Sequence, residues 1–325
     1  MTLSAVLFEA FEEARLRAPQ LDSQQLAELL GISEGELQAA RLGHGVRSLC
    51  LTACDLAMML PRLGPLEIVT EAHHASLSSR IEHCRIDVGA RHAHLAQGNT
   101  LAIEMLLPGW YWACLSHERR PGEEDTAPCV QIFNRFGQAI HRLYALQPAH
   151  PAWRALRFYT SRITPGFTRC IDLFHQATPP SQSSLIEQWQ HLRNELDLRQ
   201  LLRRHRLRRI DANRAVAGHF SQRINTNRFI MAMASTCHDS RLTRLRMCHT
   251  GLLHQHCDRF TFLSPGANQW LQLEGSTLSL SLDTLALAEA WEVIRPGASG
   301  SQTVLEAFDQ QGHLMVALEA AQPVA

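Results

Sequence analysis

The chain has 325 residues with 31 basic and 31 acidic side chains, so its formal net charge is zero and no global field draws it to nucleic acid. Hydrophobic residues make up 45% and charged residues 19%, a balance typical of a folded protein and not of a disordered chain. No apolar run approaches the roughly 20 residues that a transmembrane helix requires, and the length predicts about two domains.

The N-terminal segment and the cysteines both favour a cytoplasmic protein. Glu9, Glu12 and Glu13 interrupt the first apolar stretch, where a signal peptide needs an unbroken apolar core. The nine cysteines are scattered and form no C-x-x-C pair, a pattern typical of reduced thiols in the cytosol.

The first predicted elements are helices over residues 4–17 and 23–43. Within the second stretch, LAELLGISEGELQAARLG, from Leu26 to Gly43, reads as a helix, a turn and another helix. This order of elements is that of a DNA-binding helix-turn-helix, so DNA is the first partner to consider.

The composition of the second helix argues against DNA. A helix that reads the major groove presents Arg, Lys, Asn or Gln to the bases, whereas this helix begins with Glu34 and Glu36. Ser33 and Glu36 have the spacing of a capping box, in which each side chain bonds the backbone of the other. We therefore do not expect DNA to be a partner.

Two hairpin patterns indicate an internal repeat. CVQIFNRFGQAIHRLYAL (129–146) and TVLEAFDQQGHLMVALEA (303–320) each contain an apolar strand, a phenylalanine, three residues, a glycine and a second apolar strand. The two phenylalanines, Phe133 and Phe308, are 175 residues apart. Such spacing predicts one structural unit built twice.

The strands before the hairpins extend this repeat. Alternating stretches that end near Trp110 and Trp291 precede the two hairpins, and period-two alternation is typical of a strand with one buried face. The sequence thus predicts an α+β fold of two tandem repeats, each with helices and an antiparallel sheet. We assign residues 1–150 to the first repeat, 151–182 to a Pro-rich connection and 183–325 to the second repeat.

One longer helix is predicted between the repeats. SSLIEQWQHLRNELDLRQLLRRH, residues 183–205, has apolar residues near helical spacing. The predicted buried seam consists of Leu185, Trp189, Leu192 and Leu196.

Taken in order, these segments resemble the HemS/ChuX family of bacterial haem-utilisation proteins. The strongest match is the helical start from Leu26 to Arg41, followed by the first hairpin from Val130 to Tyr144. Further matches in family order are Trp189, LLRRH (201–205), HTG (249–251), the A-W-x-V-x-x-P segment (290–296) and FDQQG (308–312). The resemblance covers nearly the whole chain.

The resemblance implies a cytoplasmic protein of two structural repeats that binds haem between a sheet and helices. It also implies that a histidine ligates the iron and that arginines bind the propionates. Family members receive haem imported by an ABC transporter, and then store it, pass it to a downstream acceptor or open the ring to release iron.

Three positions depart from the family pattern. The family's axial histidine follows the helix tryptophan by seven residues, and this position, counted from Trp189, is Leu196, which offers iron no nitrogen. Ala102 stands at the position of a family arginine, and Glu104 replaces an aromatic residue. A carboxylate beside a propionate would repel it.

Other candidate residues for haem are retained. Arg209 and Arg214 match family positions, and Arg295 lies next to one; a guanidinium suits a carboxylate because its planar fork binds two oxygens. His249 keeps the HTG turn and His254 lies where the family often has lysine, so either could ligate iron in place of Leu196.

Plainer interpretations of these segments stay open. The arginine-rich stretch 199–209 has the composition of a solvated helix face. The segment from Cys248 to Cys257 could hold a structural metal through its histidines and thiols, or contain only structural histidines.

The sequence therefore predicts a cytoplasmic protein that binds or handles haem, or a related tetrapyrrole, in haem utilisation and iron transport. Because Leu196 and Ala102 occupy ligand positions, we expect weak or differently ligated haem. Two alternatives remain: a degenerate family member that binds another ligand or acts as a regulatory module, and a haem-degrading enzyme with a substitute axial ligand.

Overall fold

The structure is a computed structural model of mixed helix and antiparallel sheet, which confirms the α+β prediction. It describes residues 3–72, 74–120, 123, 125–169, 181–249, 252–265, 269–295 and 300–321.

Within these residues the chain forms nine α-helices and three short 3₁₀ turns. None of the described helices is both long and apolar enough to cross a membrane. The helices are α1 (Leu3–Arg17), α2 (Ser23–Leu29), α3 (Glu34–Ala40), α4 (Ala53–Met59), α5 (Pro151–Ala155), α6 (Gln182–Gln190), α7 (Glu195–His205), α8 (Arg209–Ala215) and α9 (Thr226–His238). The 3₁₀ turns are Leu60–Arg62, Leu107–Gly109 and Leu156–Tyr159.

Nineteen strands are present in the same described residues. In the first half they are β1 (Arg47–Leu49), β2 (Leu66–Ala72), β3 (Ala75–Ile81), β4 (Arg85–Val88), β5 (His92–Gln97), β6 (Leu101–Leu106), β7 (Trp112–Arg119), β8 (Thr126–Phe133), β9 (Ala139–Ala145) and β10 (Thr160–Ser161). In the second half they are β11 (Ser221–Ile224), β12 (Leu242–His249), β13 (Leu252–Arg259), β14 (Phe262–Pro265), β15 (Trp270–Glu274), β16 (Leu278–Asp283), β17 (Glu289–Arg295), β18 (Gln302–Phe308) and β19 (Leu314–Ala320).

The described strands form two sheets, and each sheet contains strands from both halves of the chain. The ten-stranded sheet has the order β10-β1-β7-β8-β9-β2-β3-β16-β15-β14. The nine-stranded sheet has the order β11-β17-β18-β19-β12-β13-β6-β5-β4. The halves therefore interlock, since β14–β16 extend the first sheet and β4–β6 extend the second.

The two sheets pack face to face, and α4 and α9 contribute to the apolar clusters that the sheets share. The core between them combines apolar residues from both sheets, among them Ile68, Val130 and Ile103. On the outer face of the nine-stranded sheet, α6 and α7 bury Trp189 and Leu198. The nine-stranded sheet is therefore buried on both faces.

The two predicted hairpins are present and have matching details. In both hairpins a register shift falls beside the phenylalanine, at Phe133 and at Phe308. The turn glycines, Gly137 and Gly312, both have positive φ, at 78° and 81°, which favours glycine. Here the predicted internal repeat is confirmed.

The two tryptophans that suggested the repeat are not equivalent. Trp110 precedes β7, whereas Trp291 lies within β17. The residue paired with the hairpin phenylalanine is Trp112, opposite Phe133, in the first repeat. In the second repeat it is Glu289, opposite Phe308. The stretches match as strands, but their tryptophans occupy different positions.

The helix-turn-helix pattern forms α2, a turn at Gly31 (φ 67°) and α3. The predicted capping box is present, because Ser33 Oγ accepts a hydrogen bond from the backbone N–H of Glu36 at 3.3 Å and Glu36 bonds back. In contrast to a recognition helix, α3 packs into the protein and buries Leu37 and Gln38. Its sequence is therefore used for internal packing.

The single helix predicted over 183–205 is wrong, because α6 ends at Gln190 and α7 begins at Glu195. Asn194 caps α7 by accepting a hydrogen bond from the backbone N–H of Asp197 at 2.9 Å. Asparagine favours this capping position over a helix interior. Because the helix is interrupted, the buried seam predicted for one continuous helix does not extend from α6 into α7.

Polar side chains form a hydrogen-bonded layer where the two sheets meet. His254 on β13 bonds Thr70 on β2 through Nδ1 at 2.8 Å and Ser79 on β3 through Nε2 at 2.9 Å. Ser79 Oγ also bonds His256 Nδ1 at 2.8 Å. All four side chains are 0% exposed, so the two histidines act as structural links between the sheets.

Acid is expected to weaken this layer. Burial, with smaller effects from His256 and His141, holds the pKa of His254 well below its ordinary value. Burial also lowers the pKa of His256 to about 4, although Asp258 opposes that shift. Both rings therefore stay neutral in the folded chain but protonate in the unfolded chain below about pH 6.5, so the free energy of unfolding falls as the pH drops from there toward 4.

When the pH falls from about 7 to about 5, the unfolding free energy of both proteins should drop. We expect the drop to be about 2 kcal/mol smaller in His254→Gln than in the parent chain. Urea unfolding at both pH values measures this difference. His117→Gln, at an exposed histidine of β7, is the control and should follow the parent chain. Equal losses in all three proteins would contradict the assignment.

Candidate functional site

Leu196, which the resemblance predicts at the position of an axial ligand, lies at the start of α7. Leu196 is the second residue of this helix and is 46% exposed. It does not belong to the predicted buried seam, because Leu198 and Leu201 take the buried positions of α7. Leu196 therefore faces solvent.

Strand β6 lies opposite this helix. Arg199, on α7, forms an ion pair with Glu104 on β6, with 3.4 Å between Nη1 and Oε2. Ala102 lies two residues earlier on β6, and so on the same face of the strand. The two family departures on β6 therefore face the helix that carries the third.

Strand β5 continues the same surface. The strand register places His94 opposite Glu104 and Ala96 opposite Ala102, and opposed residues of antiparallel strands share a face. His94 is exposed, whereas its neighbours Ala93 and Leu95 are buried in the core between the sheets.

We call this surface the α7/β6 face. It consists of Leu196, Arg199, Ala102, Glu104, His94 and Ala96.

His94 is not among the residues that the sequence predicts for the site. The signal was present in HAHLAQ (92–97), where histidines alternate with buried apolar residues in the pattern of a half-buried strand. Which helix such a strand would face is decided by pairing between distant segments, and the local sequence does not carry that information.

Two of the predicted propionate arginines lie side by side in a buried charge cluster. Arg209 bonds Glu306 through Nη2 at 2.8 Å and Glu195 through Nη2 at 3.0 Å. Arg295 bonds the same two carboxylates, and Asn213 donates to Glu306 at 2.8 Å. Two guanidinium groups thus neutralise two carboxylates inside the protein.

This cluster keeps its carboxylates ionised. Burial alone would raise the pKa of Glu195, but Arg209 and Arg295 outweigh it and hold the pKa below its ordinary value. The pKa of Glu306 is lowered in the same way, against the effect of burial. Both arginines are therefore committed to internal partners, and a propionate would have to displace a buried carboxylate to reach them.

The third predicted arginine lies elsewhere. Arg214, at the end of α8, is exposed and pairs with Asp211 at 3.1 Å and Glu289 at 2.6 Å. It therefore does not join Arg209 and Arg295 in their cluster.

The predicted substitute histidines are placed differently. Both ring nitrogens of His254 bond hydroxyl groups between the sheets, so neither nitrogen is available to iron in this arrangement. His249 is the last residue of β12, opposite Leu252; its side chain, with Thr250 and Gly251 of the HTG turn, lies outside the described residues. In the described part of the chain no group of three or more His, Cys, Asp or Glu side chains could hold a metal ion.

The first half contains a related charge cluster with the signs exchanged. Glu34 is the first residue of α3, and Arg209, 175 residues later, is the first residue of the equivalent helix α8. Arg142 on β9 binds Glu34 through Nη2 at 2.6 Å. Glu118 and Arg295 also occupy equivalent positions in the two repeats. Glu118 lies opposite Ala127 in the first hairpin sheet, and Arg295 lies opposite Gln302 in the second. Both repeats thus bury ion pairs beneath the same helix, which indicates that Arg209 and Arg295 have a structural role.

The α7/β6 face has the kinds of group that haem requires, although not at the positions expected from the family. Haem needs apolar contacts for its ring, a cation for its propionates and a ligand for its iron. Here Leu196, Ala102 and Ala96 are apolar, Arg199 is a cation and His94 is an imidazole. The residues present therefore fit haem in kind.

Comparison with known proteins agrees with the architecture. A family profile described as "Haemin-degrading HemS.ChuX domain" matches residues 206–320. The chain is 24% identical to the hemin transport protein HmuS of Yersinia pestis over 318 residues, 95% of this chain and 90% of that protein. It is 22% identical to the hemin transport protein HemS of Yersinia enterocolitica over 315 residues, with the same coverage.

Solved structures share the fold over the whole chain. Holo-PhuS, a haem-binding protein from Pseudomonas aeruginosa, has a TM-score of 0.85 at 23% identity, covering 99% of this chain and 95% of PhuS. The haem-degrading enzyme ChuS of Escherichia coli O157:H7 has a TM-score of 0.88 at 18% identity, covering 98% and 94%. Residues 206–320 thus match a HemS/ChuX domain, and the chain is similar to HmuS and HemS over both halves and shares its fold with PhuS and ChuS.

Proposed function

We propose that this protein binds haem, or a related tetrapyrrole, in the cytoplasm of a bacterium during haem utilisation and iron transport. The observation that carries the proposal is the shared two-sheet fold, which spans 99% of this chain in the comparison with the haem-binding protein PhuS. The α7/β6 face supports it, because this exposed surface lies between a sheet and a helix.

The proposed binding mode uses groups on both sides of this face. Haem, when bound, supplies an iron centre that takes an axial ligand and two propionates that need cations. Leu196 and Ala102 would contact the ring, and Arg199 would pair with a propionate in exchange for Glu104. Because Leu196 has no donor atom, the iron needs a ligand from another element.

The proposed compartment and partners follow from the same function. The eight cysteines in the described residues are free thiols, as expected in a reducing cytoplasm. A haem ABC transporter as donor and a downstream haem acceptor are the proposed partners, in keeping with the hemin transport names of the relatives HmuS and HemS.

We expect the purified protein to form a one-to-one complex with hemin that has a defined Soret band. Arg199→Gln should weaken the affinity about tenfold, because a charge-assisted contact to a propionate is lost. Arg203→Gln, at an exposed arginine of the same helix, is the control. Absorbance titration measures both affinities.

Failure of the parent chain to form a specific complex at micromolar concentration would refute haem binding and favour another ligand. If the complex forms and its Soret band decays when an electron donor is added, with release of iron, ring opening is added to the function.

We expect Leu196→His to raise hemin affinity about tenfold, equivalent to about 1.4 kcal/mol, because it returns a nitrogen donor to the exposed start of α7. Leu29→His, at a leucine of α2 that is 64% exposed, adds the same side chain far from this face and should leave the affinity unchanged. Equal affinities in both variants would mean that haem does not bind beside residue 196.

A further inference from the structure

The α7/β6 face contains one imidazole in a position to bind iron. His94 is exposed on β5 and lies directly opposite Glu104 in the strand register. Glu104 in turn contacts Arg199, one helical turn after Leu196. His94 is thus the cross-strand neighbour of the residue that pairs with α7, the helix that carries Leu196.

The other histidines near the site have different positions or partners. His254 is enclosed between the sheets and bonds through both nitrogens. His191 bonds the backbone carbonyl of Glu187 at 2.8 Å, and His205 bonds Gln188 at 3.0 Å. Among the described residues, only β5 places histidines on the α7/β6 side of the sheet next to β6.

Two histidines of β5 share that side, and the register separates them. His92 lies opposite Leu106, four residue pairs from Ala102, whereas His94 lies opposite Glu104, two residue pairs from Ala102. Because a strand rises about 3.3 Å per residue, His92 is about 7 Å further from the helix contact than His94. His94 is therefore the better candidate.

We propose that His94 is the haem-iron ligand of this protein and that the ligand has moved from the helix to the facing sheet. This inference rests on the proposed function. A neutral imidazole coordinates iron through one ring nitrogen. A ligand on β5 would approach the iron from the sheet side, opposite to the helix side on which Leu196 lies.

Glu104 acquires a role in this arrangement as a positioning residue. Metal-bound histidines commonly donate their second ring N–H to a carboxylate, which fixes the ring and raises its basicity. The cross-strand neighbour of His94 is such a carboxylate, and it is free for this role once Arg199 has exchanged it for a propionate. The carboxylate that would repel a propionate is thereby suited to orient an imidazole.

Spectroscopy of hemin complexes tests the ligand. With the parent chain and His92→Ala, we expect the optical and electron paramagnetic resonance signatures of histidine-ligated haem. With His94→Ala we expect these signatures to be lost, and imidazole added to the solution should restore them. Circular dichroism and thermal unfolding check that the exposed substitutions leave the fold intact.

Two further variants make the test more specific. Glu104→Gln should weaken hemin affinity about tenfold or more and shift the iron reduction potential upward, while the histidine signature remains. Leu196→His should add a second imidazole and give six-coordinate low-spin haem, and adding His94→Ala to that variant should remove the six-coordinate form.

The outcomes separate the ligand from the function. If the parent chain binds no hemin, the proposed function fails and the ligand proposal fails with it. If the parent chain binds hemin and the spectrum of His94→Ala is unchanged, or if His92→Ala loses the signature in place of His94→Ala, the ligand proposal is overturned and haem binding stands.

Discussion

The pairing of β6 with β13 is the contact on which the arrangement of the site depends. It joins a strand of the first half to a strand of the second half, from Leu101 opposite His256 to Met105 opposite Leu252. Because β6 is held in the second sheet, its outer face lies beside α7, which belongs to the second half. The candidate site therefore exists only when both halves are folded together.

Buried polar groups add specificity to this assembly. The His254 hydrogen bonds connect β13 with β2 and β3 across the two sheets, and a buried polar group without partners would be costly. A misaligned pairing of the sheets would leave both ring nitrogens unpaired. Hydrogen bonding thus favours one relative position of the sheets, while apolar burial supplies most of the stability.

Charge is used differently inside the repeats and on the surface of the site. Arg209 and Arg295 neutralise Glu195 and Glu306 in the interior, where removing one partner would leave a buried charge uncompensated. Arg199, by contrast, is partly exposed and has one carboxylate partner at 3.4 Å. An incoming anion can compete for Arg199 at much lower cost than for the buried pair.

The sequence by itself determined the class of fold, both hairpins and the capped start of α3, because these depend on local patterns of apolar residues, glycine and capping side chains. It did not predict the break before Glu195, the exposure of Leu196 or the position of His94 opposite Glu104. These were decided by the tertiary structure, since exchange of strands between distant segments determines which residues face one another, and no local pattern encodes that pairing.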